Sequence, residues 1–270
     1  ADHFASRHGY TLASELAAFR GSGPAERVAR VKQDYRDTLD AMMVEDVFPR
    51  WTRWSKERGM LTRNQAHGAP VNLIDFYALA DIPETEMFGH GGPDPLVSRY
   101  DDHLGKADRN PLIAKFASSA AHLGGKRLVS AETGTWLAEH FCESPAELKG
   151  LIDLLLLSGV NHIFYHGCAY SPDDAPWPGW LFYAATEMNP RNPLWREMHT
   201  LNAYVTRCQS LLQASRPDND VLIYWPIHDL FAQDTHFQFT VHDHQWLTGQ
   251  ATGRTARMLW DAGVGFDYVS

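Results

Sequence analysis

Carboxylates at the ends of extended segments are the residues best placed to do chemistry. Glu132 stands in Arg127-Leu-Val-Ser-Ala-Glu-Thr-Gly-Thr135, flanked by Ala131 and by Thr133-Gly134. Its small neighbours would let the carboxylate enter a pocket unobstructed. The competing structural reading is a polar strand cap facing solvent. Glu84 and Glu86 lie two apart in Asp81-Ile-Pro-Glu-Thr-Glu86, and in extended chain that spacing puts both side chains on one face. Like charges gathered there are costly unless a cation, a shared proton or ligand hydroxyls compensate. The segment reads as a second catalytic carboxylate, as a hard-cation site, or as a solvated acidic loop.

Asn64, Gln65 and His67 follow the next candidate strand upstream. Planar amides and an imidazole give and accept hydrogen bonds without net charge, which suits a hydroxyl-rich ligand. They suit loop capping equally. His162 and His166 are four apart on an extended segment, hence on one face, but without an obvious third metal ligand. Trp177 and Trp180 bracket Pro178-Gly179. They could form a stacking platform for a sugar ring or pack against a neighbouring helix. Trp51, Trp54 and Trp260 fall at helical spacings and read as core. No GxSxG elbow, phosphate loop or persuasive Cys/His pair is present.

The elements that must carry these residues alternate. Val28, Val31, Tyr35, Leu39, Met42 and Met43 recur at three and four residues, predicting a long helix from about 25 to 58 that Gly59 ends. A strand near Met60–Ala66 and a helix over Val71–Ala80 follow. Pro83 keeps Asp81–Phe88 extended. The stretch from Gly89 to Arg109 reads as an irregular excursion. A helix from Pro111 to Gly124 leads to the Arg127–Thr135 strand. Ser144-Pro-Ala-Glu147 is a capping box with Pro at the first helical position. The helix it opens buries Leu148, Leu151, Ile152, Leu155 and Leu156 and leads to the strand Asn161–Gly167. A further helix spans 192–214. Ser215–Asn219 reads as a linker. A strand at Asp220–Trp225, a helix near 253–262 and a final strand at 266–269 begin a second α/β unit.

This alternation predicts parallel βαβ units. Polar clusters past the strand ends, and no Gly-rich fingerprint, favour a barrel over a nucleotide-binding open sheet. The expected fold is therefore α/β: a partial (β/α)8 TIM-type barrel over 1–216, then the start of a Rossmann- or flavodoxin-like domain over 217–270. The 270 residues are enough for a large core. A net charge of −9 without a basic run argues against nucleic acid. The longest apolar run, Leu151–Val160, is too short for a membrane span. The three cysteines, Cys142, Cys168 and Cys208, form no CxxC pair and read as reduced or buried thiols. There is no signal-peptide pattern, and both ends read as mid-domain.

Five stretches in series resemble the glycoside hydrolase family 106 α-L-rhamnosidases. They are Phe4–Tyr10, Arg63–Gly68, Asp81–Glu86, Ser130–Trp136 and Ser158–Gly167. The resemblance implies a catalytic barrel, a calcium-dependent site and inversion at the anomeric carbon of a rhamnose-containing glycan or glycoside. It makes Glu132 the general base. It assigns Glu84 and Glu86 to calcium or substrate contact, with Glu86 also a catalytic candidate. Asn64, Gln65 and His67 would line the sugar pocket, with His166, Trp177 and Trp180 as further substrate contacts. The family's acid-bearing segment should precede Phe4, so these 270 residues are expected to lack the acid and to be a poor catalyst alone. A periplasmic or secreted location would suit the parent; oligomeric state is not readable. Three readings compete with this one. They are a retaining β-galactosidase-like enzyme with Glu132 as nucleophile, a non-catalytic carbohydrate-binding protein, and a transition-metal hydrolase using His67, His162 and His166.

Overall fold

A computed structural model describes residues 1–89, 109–137, 139–233, 239–241 and 245–270. The chain opens with two short helices, α1 (Asp2–His8) and α2 (Leu16–Phe19), packed on α3 (Ala25–Ala41). The long amphipathic pattern is one helical run. Helix α3 passes through π-helical turns at Met42–Val47 into α4 (Phe48–Lys56). The widened turns fall immediately before Pro49, which has no N–H to give to the carbonyl four residues back. Trp51 and Trp54 are not core. They are 42% and 49% exposed, because helical spacing alone does not say which stripe of α4 faces inward. Arg58 covers the Trp54 ring at 4.3 Å.

Four parallel strands follow: β1 (Arg63–Gln65), β2 (Ile82–Gly89), β3 (Ser130–Trp136) and β4 (His162–Tyr165). The helices between them are α5 (Leu73–Leu79), α6 (Pro111–Leu123) and α7 (Pro145–Leu157). Each strand pairs with its neighbour in sequence, giving the order β1-β2-β3-β4. Sheet closure into a barrel is not seen among the described residues. The stretch read as an irregular excursion lies almost wholly outside them. The capping box forms as the sequence spells it: Ser144 Oγ accepts from Glu147 N, and Glu147 Oε2 accepts from Ser144 N. Leu148, Leu151, Ile152 and Leu155 then bury one face of α7.

After α8 (Met198–Ala214) comes β5 (Val221–Tyr224). Helices α9 (Ile227–Ala232), α10 (Gln245–Thr248) and α11 (Ala251–Asp261) precede β6 (Phe266–Val269), which pairs parallel with β5. Two strands are too few to define a doubly wound sheet.

Helix α6 is buried nearly all round because it serves both sheets. It packs on β2 on one side and β6 on the other. Phe116 stacks on Tyr268 at 4.3 Å and meets Trp225 edge-on at 4.8 Å. Ser119 and His122 bond the buried Asp267 carboxylate at 3.1 and 3.0 Å. At the end of β2, Gly89 passes directly under Trp136, whose ring would stand 1.9 Å from a Cβ there. Only glycine admits that approach.

Candidate functional site

Strand register brings the carboxylates together. Gln65, Glu84, Ser130 and His162 are successive register partners across the four strands, and Glu86, Glu132 and Phe164 form the next row. Residues in one row of a parallel sheet point to the same face. Glu84, Glu86 and Glu132 therefore share a face with Arg63, two residues before Gln65.

Each carboxylate has its own protein partner. Buried Glu84 takes Arg63 Nε at 3.0 Å and Ser130 Oγ at 2.7 Å. Burial pushes its carboxyl above the usual range; Ser130 and Arg63 offset this, and the charge of Glu132 adds to it. Arg63 also lies over the Phe164 ring at 3.7 Å. Gln65 Nε2 donates to Glu86 Oε2 at 2.9 Å, and His67 Nε2 lies 3.2 Å from the same oxygen. The His67 backbone N–H donates to the phenol oxygen of buried Tyr77 at 3.2 Å. Glu132 Oε1 accepts from Thr135 Oγ1 at 2.8 Å and lies 3.5 Å from His166 Nδ1. Glu132 is the most open of the three, with 28% of its side chain exposed against 8% and 9% for Glu84 and Glu86.

The expected residues are thus partly assembled. Gln65, His67, Glu84, Glu86, Glu132 and His166 come together. Asn64 does not: it alternates with Arg63 and Gln65 and so lies on the opposite face. Its Nδ2 is buried there without a hydrogen-bond partner. Asp81 caps the other end of β2, accepting from Thr62 N at 2.8 Å and Oγ1 at 2.9 Å. Nor do Trp177 and Trp180 contact Glu132. Trp177 stacks on Phe141 at 5.7 Å and donates from Nε1 to the Arg191 carbonyl. Trp180 meets Tyr170 edge-on at 5.9 Å. The aromatic that does reach the site is Phe182, 5.1 Å from the His166 ring. His162 sits edge-on to Phe164 at 4.6 Å rather than pairing with His166.

Sequence reasoning missed three groups. Arg63 carried a readable signal, its two-residue offset from Gln65. Phe182 and the buried pair Glu143 and Glu187 carried none, since irregular chain brings them in. Glu187 is fully buried in a left-handed conformation (φ 47°). Its Oε1 accepts from Phe182 N at 2.9 Å and stands 3.7 Å from His140 Nδ1. Burial pushes Glu143 up to about 7, with Glu147 and Glu187 adding to the rise.

Among the described residues no group of three or more His, Cys, Asp or Glu is gathered to hold a metal. Glu84 is already committed to Arg63. The described side chains do not make a hard-cation cage by themselves. Any calcium site would need oxygen donors from elsewhere in the protein.

A family model described as alpha-L-rhamnosidase matches residues 1–240. A relative from Formosa agariphila, named "Putative beta-glucuronidase", is 28% identical over 226 residues, covering 82% of this chain and 18% of that protein. The structure of a rhamnosidase from Novosphingobium sp. PP1Y matches with a TM-score of 0.70 at 23% identity. The match covers 99% of this chain and 24% of that one. The chain therefore spans less than a quarter of either relative, and the structural likeness speaks to the fold. With the family model matching most of its length, the chain belongs to the glycoside hydrolase family 106 alpha-L-rhamnosidases.

Proposed function

We propose that the longer protein to which this chain corresponds hydrolyses α-L-rhamnosides with inversion, and that Glu132 is the general base. The observation that carries the reading is the placement of Glu132. It is the most open carboxylate on a shared polar face, the third of seven residues in the central parallel strand β3 rather than at the strand's end. His166 stands beside it, and Thr135 orients one oxygen. There the free carboxylate oxygen would take a proton from a water as that water attacks the anomeric carbon. The general acid is contributed by the longer protein, with the two carboxyls about 6.5–9.5 Å apart to admit the water. Glu86 leaves the same face in register with Glu132, one strand away. It stands beside the base rather than across a sugar ring from it. Its part in this reading is to hold Gln65 and His67 toward substrate hydroxyls.

The face also favours a neutral sugar. Three carboxylates lie on it, and its guanidinium, Arg63, is spent on Glu84. A uronate would bring a further negative charge against them. The four strands are read as half of a (β/α)8 barrel, and β5–β6 as the start of a Rossmann-like unit. Calcium is proposed to assist sugar binding, held with oxygen donors of the longer protein.

The test is hydrolysis of an aryl α-L-rhamnoside by the full-length protein, with product stereochemistry followed by NMR. The expected first product is the β-anomer. Retention would instead make Glu132 a nucleophile, and turnover of β-glucuronides alone would overturn the substrate. Chelator treatment tests calcium separately.

A further inference from the structure

The loop after β4 presents aromatic rings to solvent instead of burying them. Tyr170, Trp177, Trp180, Phe182 and Tyr183 are 74%, 66%, 59%, 43% and 62% exposed. A slack loop would fold such rings inward, but this one is braced. Arg191 donates to the carbonyls of Ala175 and Pro172 at 2.8 and 3.2 Å. Ser171 Oγ accepts from Trp180 N at 2.8 Å. Beyond the rings, Thr186 N and Met188 N bond the carbonyls of Gly134 and Gly167, pinning the loop to the ends of β3 and β4. The surface is continuous with the candidate site. Tyr183 packs on Phe182 at 4.9 Å, Phe182 on His166 at 5.1 Å, and His166 lies beside Glu132.

We propose that this aromatic loop binds sugar residues beyond the one that is cleaved, so that the substrate is an extended glycan rather than a simple rhamnoside. The proposal rests on the reading of Glu132 as part of a glycosidase site. Indole and phenol rings offer flat apolar faces to the C–H faces of pyranoses, and their polar tips serve the hydroxyls at the rim. A bed for a protein helix would be expected to carry aliphatic anchors at helical spacing. Here five of the six large apolar side chains exposed on the loop are aromatic, Leu181 being the exception, and their continuity with a carboxylate site points to the chain attached to the cleaved residue.

The experiment uses the full-length protein and two probes. One is α-L-rhamnosyl fluoride, a single sugar whose leaving group has no ring. The other is a series of α-L-rhamnosyl-terminated oligosaccharides of two to six residues. kcat/KM is expected to rise with oligosaccharide length. Trp180→Ala and Tyr183→Ala should each cut it about tenfold for the longer substrates, the loss of one stacked ring, and leave rhamnosyl fluoride within twofold. Trp180→Phe should restore most of the loss. No length dependence, or equal losses on both probes, overturns the proposal. So does protection of these indoles from acrylamide quenching in the free full-length protein, since other parts of the chain then cover the loop. Absence of turnover on both probes would instead refute the rhamnosidase reading. Quenching of Trp fluorescence by the oligosaccharides, lost in Trp180→Ala, would still decide whether the loop binds glycan.

Discussion

Replacing Glu143 with Gln should remove a pH-dependent weakness. Glu143 is 4% exposed, and one of its oxygens is buried without a hydrogen-bond partner. Burial, with Glu147 and Glu187 nearby, moves its ionisation from 4.5 to about 7. Between those values the folded protein holds a proton that the unfolded chain has released, so stability falls as pH rises through the window. At roughly 1.4 kcal/mol per pH unit, the stability lost by pH 8 is at most about 3 kcal/mol. Glutamine keeps the shape and stays neutral. Guanidinium unfolding of parent and variant at pH 5 and pH 8 isolates the effect, because titrating groups that do not interact with Glu143 cancel in the comparison. The variant should match the parent within about 1 kcal/mol at pH 5 and exceed it by roughly 2–3 kcal/mol at pH 8. Equal differences at the two pH values would refute the reasoning.

Two further perturbations probe the frame of the site. Gly89→Ala drives a methyl into the Trp136 ring and should cost about 1–3 kcal/mol of stability. A double-mutant cycle with Trp136→Leu should recover much of that loss as coupling between the two positions. Arg63→Ala strips buried Glu84 of its guanidinium and should cost roughly 1–3 kcal/mol at neutral pH. Burial holds the Glu84 carboxyl above the usual range, so the deficit should shrink as pH is lowered and Glu84 protonates, read from unfolding midpoints across a pH series.

What could be read from the sequence followed regular geometry. Period-3.6 patterns marked the helices, and the capping box at Ser144 formed as written. The two-residue spacing of Glu84 and Glu86 placed both on one face, and the next strand carried Glu132 to the same side, although inside the strand rather than at its end. The failures have physical causes. Asn64 sits on the wrong face because a strand's two faces differ by one residue, and β1 has only three residues to show the phase. Trp51 and Trp54 lie on a helix whose buried stripe shifts after the π-helical turns. Phe182, Glu143 and Glu187 are delivered by non-periodic chain, whose path depends on hydrogen bonds to distant strand ends. The apolar character of α6 was visible in the sequence. That it would join both sheets was not, because the contacts of Phe116 and Ser119 with β6 span about 150 positions.

The most direct test of the central claim is Glu132→Gln in the full-length protein, assayed on an aryl α-L-rhamnoside alongside thermal unfolding. Glu132 is partly exposed, and glutamine can keep its oxygen beside Thr135 and His166, so the fold should be kept. The account predicts an unchanged melting temperature and a kcat lower by about 10²–10⁴-fold, as expected for loss of a general base. Full activity in a folded Glu132→Gln protein would contradict it.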